Sequence, residues 1–276
     1  MFADLDDSLD MTHYISLDHP MLSSANCEML THNPDEDLIS RQLHNDKIWE
    51  IHETRLILDN LVEGDRFIDV GANIGYYTLL ASIKTGNTGC VYAFEPDPLN
   101  FSLLEKNIKL NKRENVETFN VALTANEGDT RLYLCEDNKG DHRNYPSDDD
   151  RQSIQIKAAT ADRMLEHCAG INFIKIDTQG AETSVIKGFQ KTLQANRSQL
   201  KMIIEFWPWG LRKNNSSCFE LMGYLETLDL PMHIIDHVQG GIYSSSRNVI
   251  IDWMTETDNT PDNQGFINLF IGDVKT

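Results

Sequence analysis

Apolar residues in this chain first recur at helical spacing between 37 and 62, at Leu38, Ile39, Leu43, Ile48, Ile51, Leu56, Ile57 and Leu61. That spacing predicts one or two helices. Glu63-Gly64-Asp65 then stops the helical pattern. Residues 1–36 are polar, acidic and weakly periodic, and read as an arm or irregular lead-in. Beyond 65 the pattern alternates. Short apolar runs predict strands at 67–70, 90–94, 116–121, 172–176 and 201–206. Amphipathic stretches predict helices at 75–84, 98–111, 162–168, 181–195 and 217–228, with Asp162 a candidate cap. Segments 130–134 and 154–158 have the period of half-buried strands. Between them, 135–153 is charged and aperiodic and reads as an inserted loop. A tryptophan-rich turn at 207–210 follows strand 201–206, and strands 232–236 and 266–271 come last. Repeated β-α alternation predicts an α/β fold, a mostly parallel sheet with helices on both faces. The division that follows is an arm and helical cap over 1–62, and an α/β domain with a loop insertion over 63–276.

The chemistry gathers where strands end. Strand 67–70 runs into Asp69-Val70-Gly71-Ala72-Asn73-Ile74-Gly75, and strand 90–94 ends in Glu95, twenty residues past Gly75. A strand, a glycine turn, a helix and a second strand ending in an acid make a nucleotide-binding half-fold. Asp69 lies two residues before the first glycine, close to where a dinucleotide would put its pyrophosphate. A carboxylate there repels phosphate but suits a ligand carrying an ammonium and a sulfonium. S-adenosylmethionine is such a ligand. A dinucleotide fingerprint aligned on Gly71 requires glycines at the positions of Asn73 and Tyr76, so a nicotinamide-dependent oxidoreductase is the weaker reading. A G-x-x-x-x-G-K-[ST] phosphate loop and an H-E-x-x-H zinc motif are both absent.

Four strands place an acid at or beside this rim: Asp69, Glu95, Asp177 and Glu205. Their repulsion costs stability unless cations or hydrogen-bond donors compensate, and a bound cationic cofactor is one such compensation. Glu95 suits a ribose diol, since one carboxylate accepts two hydroxyl protons; with Pro96 beside it, it equally suits a solvated turn. Asp69 suits the ammonium, directly or through water, and also the capping of the turn. Gly71 and Gly75 let a backbone approach a ligand without a Cβ.

Composition narrows the partners. The chain has 276 residues and a formal net charge of −19, so it is a poor match for nucleic acid or anionic membrane. Hydrophobic residues make up 40 %, enough for a substantial core. The five cysteines are scattered without a C-x-x-C pair and read as reduced thiols. The acidic start is unlike a signal peptide, and no apolar run approaches the ~20 residues that span a bilayer. A cytoplasmic protein is expected.

Three blocks carry a resemblance: Asp69 to Thr78, then Phe94-Glu95-Pro96-Asp97-Pro98, then Ile174-Lys175-Ile176-Asp177-Thr178-Gln179-Gly180-Ala181-Glu182. In this order they resemble the FkbM family of S-adenosylmethionine-dependent methyltransferases, over about 49–208. The resemblance implies a Rossmann-like class I methyltransferase fold, a three-layer sandwich with a seven-stranded sheet whose last strand is antiparallel. It also implies O-methylation of natural products or sugars. It puts Asp69, Gly71, Asn73 and Gly75 at the methionine end of the cofactor, Glu95 with Pro96 at the ribose, and Asn120-Val121-Ala122 along the adenine. It turns Asp177 and Gln179 toward the transferred methyl and closes Glu50 over the cofactor. Residues 138–145 fall where the family has a substrate-facing loop, with Asp141 and Arg143 candidate substrate residues; Arg143 suits an anionic or sugar substrate, and also plain pairing with nearby aspartates.

Methyl transfer from a sulfonium is an in-line displacement, so alignment is the main task. A hydroxyl nucleophile must also lose its proton. His142 is the first candidate base, Asp177 the second and Glu205 the third. A solvated His142 paired with Asp141 remains an alternative. Tyr145, Trp207 and Trp209 are candidates for a wall against a sugar ring or an apolar group, or for core packing. Tyr76 is a candidate shield for the sulfonium. Asp141, Asp177 and Glu205 carry hard oxygen ligands, but no D-x-D or adjacent Asp-Asn marks the fourth strand end, so no metal is expected. The reading is an O-methyltransferase acting on a small molecule or saccharide. The alternative within the same fold is a nucleotide-binding protein without catalysis.

Overall fold

The computed structural model describes residues 13–146, 150–168, 170–237, 240–260 and 263–274. The first twelve residues of the expected arm, and 147–149 of the expected loop, lie outside them. Where an irregular lead-in was expected, β1 (Tyr14–Leu17) and β2 (Cys27–Leu30) form an antiparallel hairpin. Its inward residues Ile15, Leu17, Cys27 and Met29 are buried. Two asparagines of a later helix dock it. Asn107 Nδ2 donates to Leu30 O at 2.9 Å, and Leu30 N donates to Asn107 Oδ1 at 2.7 Å. Asn111 exchanges the same pair of bonds with Glu28. The expected helical region divides into α1 (Leu38–Asp46) and α2 (Ile51–Asn60). Asp37 caps α1, its Oδ2 accepting the Ser40 N–H at 2.8 Å.

The alternating region follows: β3 (Arg66–Val70), α3 (Tyr76–Thr85), β4 (Cys90–Phe94), α4 (Pro98–Leu110) and β5 (Val116–Phe119). Asp97 caps α4 by accepting the Asn100 N–H, with Pro98 at the first helical position. A small second sheet comprises β6 (Ala122–Leu123), β7 (Gly128–Tyr133) and β8 (Ser153–Ala159), with β8 in the middle. The main sheet resumes through α5 (Ala161–Met164) to β9 (Phe173–Ile176). The helix expected over 181–195 is two, α6 (Glu182–Gly188) and α7 (Gln190–Asn196). They break beside Gly188, where a Cβ would meet Thr124 O at 2.2 Å. After β10 (Lys201–Phe206) the expected turn is a short helix, α8 (Pro208–Lys213). Then come α9 (Cys218–Glu226), β11 (Met232–Ile235), β12 (Ile242–Ser244), α10 (Arg247–Asn259) and β13 (Ile267–Ile271).

Among the described residues the main sheet has eight strands rather than seven, ordered β12-β11-β13-β10-β9-β3-β4-β5. The five from β10 to β5 are parallel. The last strand, β13, runs antiparallel to both neighbours, as the resemblance implied. The additional strand is β12, a hairpin partner of β11 at the edge. This is a class I methyltransferase sheet with one edge strand added. One face packs Ile68, Ile174 and Ile204 under α6, α7, α9 and α10. The other packs Phe67, Phe173, Ile203 and Phe270 in one cluster with α2, α3 and the β1–β2 hairpin. Among the described residues no helix is long and apolar enough to cross a membrane.

Candidate functional site

The carboxyl ends of β3, β4, β9 and β10 open into two adjoining cavities. The smaller, about 70 Å³, is lined by Glu95, Pro96, Asn100, Ala122 and His142 among others. The larger, about 640 Å³, has Glu50, Lys175, Glu205, Trp207 and His237 in its wall. Gly71, Asn73, Gly140, Asp177 and Gln179 line both, so the two make one cleft.

The glycine turn separates β3 from α3 and floors this cleft. Gly71 has φ +82°, and a Cβ on it would lie 2.0 Å from Asp177 O. Only glycine lets β3 turn this close to the end of β9. Gly75 has φ +93° and packs against Leu104, away from the cleft wall. Asn73, at φ 51°, donates its N–H to Glu95 Oε2 at 2.7 Å and its Nδ2 to Lys139 O at 3.2 Å.

Glu95 is 5 % exposed. Its second oxygen accepts the Asp97 N–H at 2.8 Å. Burial pushes the carboxyl up to about 8, against the pull of those two N–H groups. Asn120 does not line the cleft as expected. Its Nδ2 clamps the turn from outside, donating to Glu95 O at 2.8 Å and Pro96 O at 3.1 Å. Ala122 does line it.

The inserted loop is pinned over the cleft. Lys139 N donates to Asp37 Oδ1 at 2.8 Å, Leu38 N to Asp137 O at 3.1 Å, and Tyr133 and Arg143 exchange backbone bonds. This pinning sets the position of His142. Its Nδ1 accepts the Cys135 N–H at 3.0 Å, and Nε2 lies 3.7 Å from Asp97 Oδ2. Both ring nitrogens face protein partners, in the half of the cleft that holds Glu95 and Ala122.

The larger cavity gathers the buried Glu205 and the half-buried Glu50 and Asp177 around one lysine. Register sets Asp69 opposite Lys175 and Glu205 opposite Asn268, each pair on one sheet face. Lys175 Nζ is 2.9 Å from Asp177 Oδ2 and 4.7 Å from the Tyr77 ring centroid. Burial works to raise the Asp177 carboxyl, but Lys175 and Gln179 overcome it and hold it below its usual range. Burial also works to lower the Lys175 ammonium, and Asp177, Glu50 and Asp69 raise it instead. Gln179 Nε2 donates to Asp177 Oδ1 at 2.8 Å and reaches both Glu205 oxygens at 3.3 Å. Burial, then repulsion from Asp177, Glu182 and Glu50, pushes Glu205 well above the carboxylate range. Glu50, at φ 39°, accepts the Tyr77 hydroxyl at 2.8 Å and is pushed by burial to about 7.

Two expectations about the rim change here. Asp69 is 1 % exposed and lines neither cavity; its Oδ2 accepts the Thr78 hydroxyl at 2.6 Å beneath the glycine turn. Asp69 follows Phe67 by two residues and points to the same covered face. The repulsion among the rim acids is moreover offset by the chain's own Lys175, which the sequence reading did not assign to the site.

On the outer wall, Arg143 makes a two-pronged ion pair with Asp141, both bonds 2.8 Å, and Arg151 pairs with the same acid at 2.7 Å. The Arg143 guanidinium lies 5.1 Å from the Trp207 ring and 5.3 Å from Trp209. Trp207 donates to Gln264 O at 3.0 Å. Tyr145 is not a wall residue. It is buried and donates its hydroxyl to Gln179 O at 3.1 Å, bracing that loop from behind. Tyr76 lines the larger cavity with its hydroxyl 3.1 Å from Thr54 Oγ1.

The sequence reading also missed Glu53 and His237. Glu53 is fully buried, and its Oε1 accepts Asn268 Nδ2 at 2.8 Å and lies 2.8 Å from His237 Nε2. The signals were present: a single lysine in an otherwise apolar strand, and Asp236-His237 directly after a further strand end.

A family model described as the methyltransferase FkbM domain matches residues 69–229, more than half of the chain. The hexuronic acid methyltransferase AglP of Haloferax volcanii is 29 % identical over 160 residues, covering 54 % of this chain and 63 % of that protein. A protein-L-isoaspartate O-methyltransferase of Caenorhabditis elegans is 34 % identical over 107 residues, 37 % of this chain and 47 % of that one. The chain spans less than two thirds of the length of the curated relatives it matches. Among solved structures, the methyltransferase FkbM of Methylobacillus flagellatus KT aligns with a TM-score of 0.47 at 17 % identity, covering 75 % of this chain and 43 % of that one.

Proposed function

The chain belongs to the FkbM family of S-adenosylmethionine-dependent methyltransferases, and we propose that it moves the methyl group to an oxygen of a small molecule or saccharide. The observation that carries this reading is the pair of adjoining cavities sharing Gly71, Asn73, Asp177 and Gln179. One side suits a nucleoside; the other has room for an acceptor. The residues present fit the cofactor. Glu95, fixed by two backbone N–H groups, keeps lone pairs for a ribose diol. Burial disfavours the ionised forms of Glu50 and Glu205, and a ligand carrying positive charge would relieve that cost. Gly71 lets the ligand meet bare backbone. When bound, the cofactor supplies an electrophilic methyl group.

The chain's own residues then align the acceptor. Asp177, held ionised by Lys175, accepts hydrogen bonds, and Gln179 links it to Glu205, whose ionised form burial disfavours. Trp207, with the Arg143 guanidinium over its ring, lines the larger cavity beside Asp141, and this mixed apolar and polar wall suits a sugar ring. The name of the haloarchaeal relative supports a saccharide acceptor. His142 belongs with Glu95 at the nucleoside side in this reading.

Calorimetry with S-adenosylmethionine and S-adenosylhomocysteine is the first test, and the absence of binding discards the proposal. Transfer of labelled methyl to a saccharide panel, with the product's new bond located by mass spectrometry, is the second. Label found only on nitrogen or carbon removes the oxygen acceptor.

A further inference from the structure

Glu53 of α2 is a carboxylate with no exposure at all, placed behind the wall of the larger cavity. Burying such a group is costly unless it is paired. Both of its visible partners lead to the cleft. Asn268 is the strand partner of Glu205 and donates to Glu53 Oε1. His237 Nε2 lies 2.8 Å from the same oxygen. β11 runs antiparallel to β13, which runs antiparallel to β10, so the carboxyl end of β11 shares the rim of the parallel strands. His237, two residues past that end, therefore stands at the site. Its side chain is 38 % exposed and lines the larger cavity together with Glu205 and Trp207.

The geometry has a chemical consequence. A carboxylate only accepts, so Nε2 carries the proton and Nδ1 carries the free lone pair. Among the described residues no hydrogen bond engages Nδ1. We propose that His237, oriented by Glu53, is the general base that takes the proton of the acceptor, and that the acceptor atom is therefore an alcohol oxygen rather than a carboxylate. This rests on the methyltransferase reading above. In the step, the acceptor oxygen bonds the methyl carbon, the carbon–sulfur bond breaks with its electron pair left on sulfur, and the hydroxyl proton passes to His237 Nδ1. The imidazolium charge is met by Glu53, and the exposed ring returns the proton to solvent. A carboxylate acceptor has no proton to lose and so leaves the base without a task. Glu205 is a poor rival base, because burial favours its protonated form. The groups around His237 are Glu53 and the edge-on His52 ring from α2, Glu50 just before it, Asp236 in the chain and Phe266 before β13. The bond to Glu53, against desolvation, raises the imidazole above its ordinary value.

Nitrogen-15 NMR of histidine-labelled full chain, with S-adenosylhomocysteine and without it, tests the dyad directly. The expected neutral form of His237 has Nε2–H, its midpoint lies above the ~6.5 of free histidine, and Glu53→Gln lowers that midpoint. An Nδ1–H tautomer, or an unmoved midpoint in Glu53→Gln, overturns the proposal. The activity arm uses methyl glucoside and glucuronate as probes with labelled S-adenosylmethionine. His237→Asn is expected to lower ether formation on methyl glucoside by roughly 10²–10⁴-fold, with S-adenosylhomocysteine affinity unchanged within twofold. Alkali-labile ester on glucuronate, formed equally by wild type and His237→Asn, overturns it. Failure of wild type to bind S-adenosylhomocysteine counts against the methyltransferase reading instead, and the tautomer and midpoint still decide the dyad.

Discussion

Replacing Lys175 by methionine is the sharpest perturbation of the site, because it removes one charge and keeps an unbranched apolar side chain. Lys175 is 4 % exposed, with its Nζ 2.9 Å from Asp177 and Asp69 beside it on β3. Its loss leaves Asp177 at the cleft wall, and the buried Asp69 behind it, without a counter-charge. Breaking a buried pair from one side costs about 3–5 kcal/mol. At roughly 2–4 °C per kcal/mol for a chain of this size, Tm should fall by roughly 6–20 °C. The pH dependence separates charge from packing. In wild type the depressed Asp177 pKa gives stability that is present above its unfolded value and lost only as pH falls through the folded one. In Lys175→Met the folded pKa rises above the unfolded value, so the variant gains stability as pH falls. The gap between the two proteins should be wide at pH 8 and close toward pH 5, measured by thermal and urea unfolding across that range. A variant as stable as wild type at pH 8 refutes the reasoning. A gap that does not change with pH assigns the loss to packing over Tyr77, a contact worth about 0.5–2 kcal/mol.

Measured above pH 8, where Glu95 is ionised, Glu95→Gln should weaken S-adenosylhomocysteine binding roughly ten- to hundredfold, the value of about 1.5–3 kcal/mol for a hydrogen bond to a charged group; unchanged affinity by calorimetry removes Glu95 from the ribose. The same carboxyl is raised from 4.5 to about 8, so its contribution to stability is complete below pH 4.5 and gone above pH 8. The free protein should therefore lose stability across that window, and urea titrations of Glu95→Gln should show a flatter profile. Gly71→Ala forces a Cβ to 2.0 Å from Asp177 O, whereas Gly75→Ala meets only the tip of Leu104 at 2.6 Å. Gly71→Ala should lose both stability and cofactor binding, and Gly75→Ala less of each; the reverse order would separate the turn from the site. His142→Ala should raise the dissociation constant for S-adenosylhomocysteine while sparing the rate at saturation, which single-turnover kinetics would resolve.

The parallel sheet was legible because its strands are short, almost wholly apolar runs buried on both faces. Strands 90–94 and 201–206 agree with the sequence reading at both ends. The hairpin at 14–30 was not, because what holds it is the pairing of β2 with Asn107 and Asn111, some eighty residues away. Helix α10 went unassigned because its buried stripe is narrow, Ile250, Met254 and Thr257 alone. In the site, the acids at strand ends and the spacing from Gly75 to Glu95 were readable. The direction of Asp69 was readable in principle, since Phe67 and Asp69 alternate with Ile68 and Val70. The partners of His142, Cys135 N and Asp97, were not readable, because they are set by how the loop folds back onto α1 and β7, which no local period records.

One face of the sheet explains where the chemistry could arise. Along β3 and β9, Phe67 faces Phe173 and, two residues on, Asp69 faces Lys175. Along β10 and β13, Ile203 faces Phe270 and, two residues on, Glu205 faces Asn268. The same strands thus pass from core to site within a single pleat repeat, while Ile68, Ile174 and Ile204 on the opposite face stay apolar throughout. The polar row is roofed by α2 and α3, which supply Glu53, Tyr77 and Thr78. A one-residue slip of β9 against β3 would carry Lys175 to the apolar face and leave Asp69 unpaired. The buried charges therefore oppose misregistration of the strands that carry the cleft.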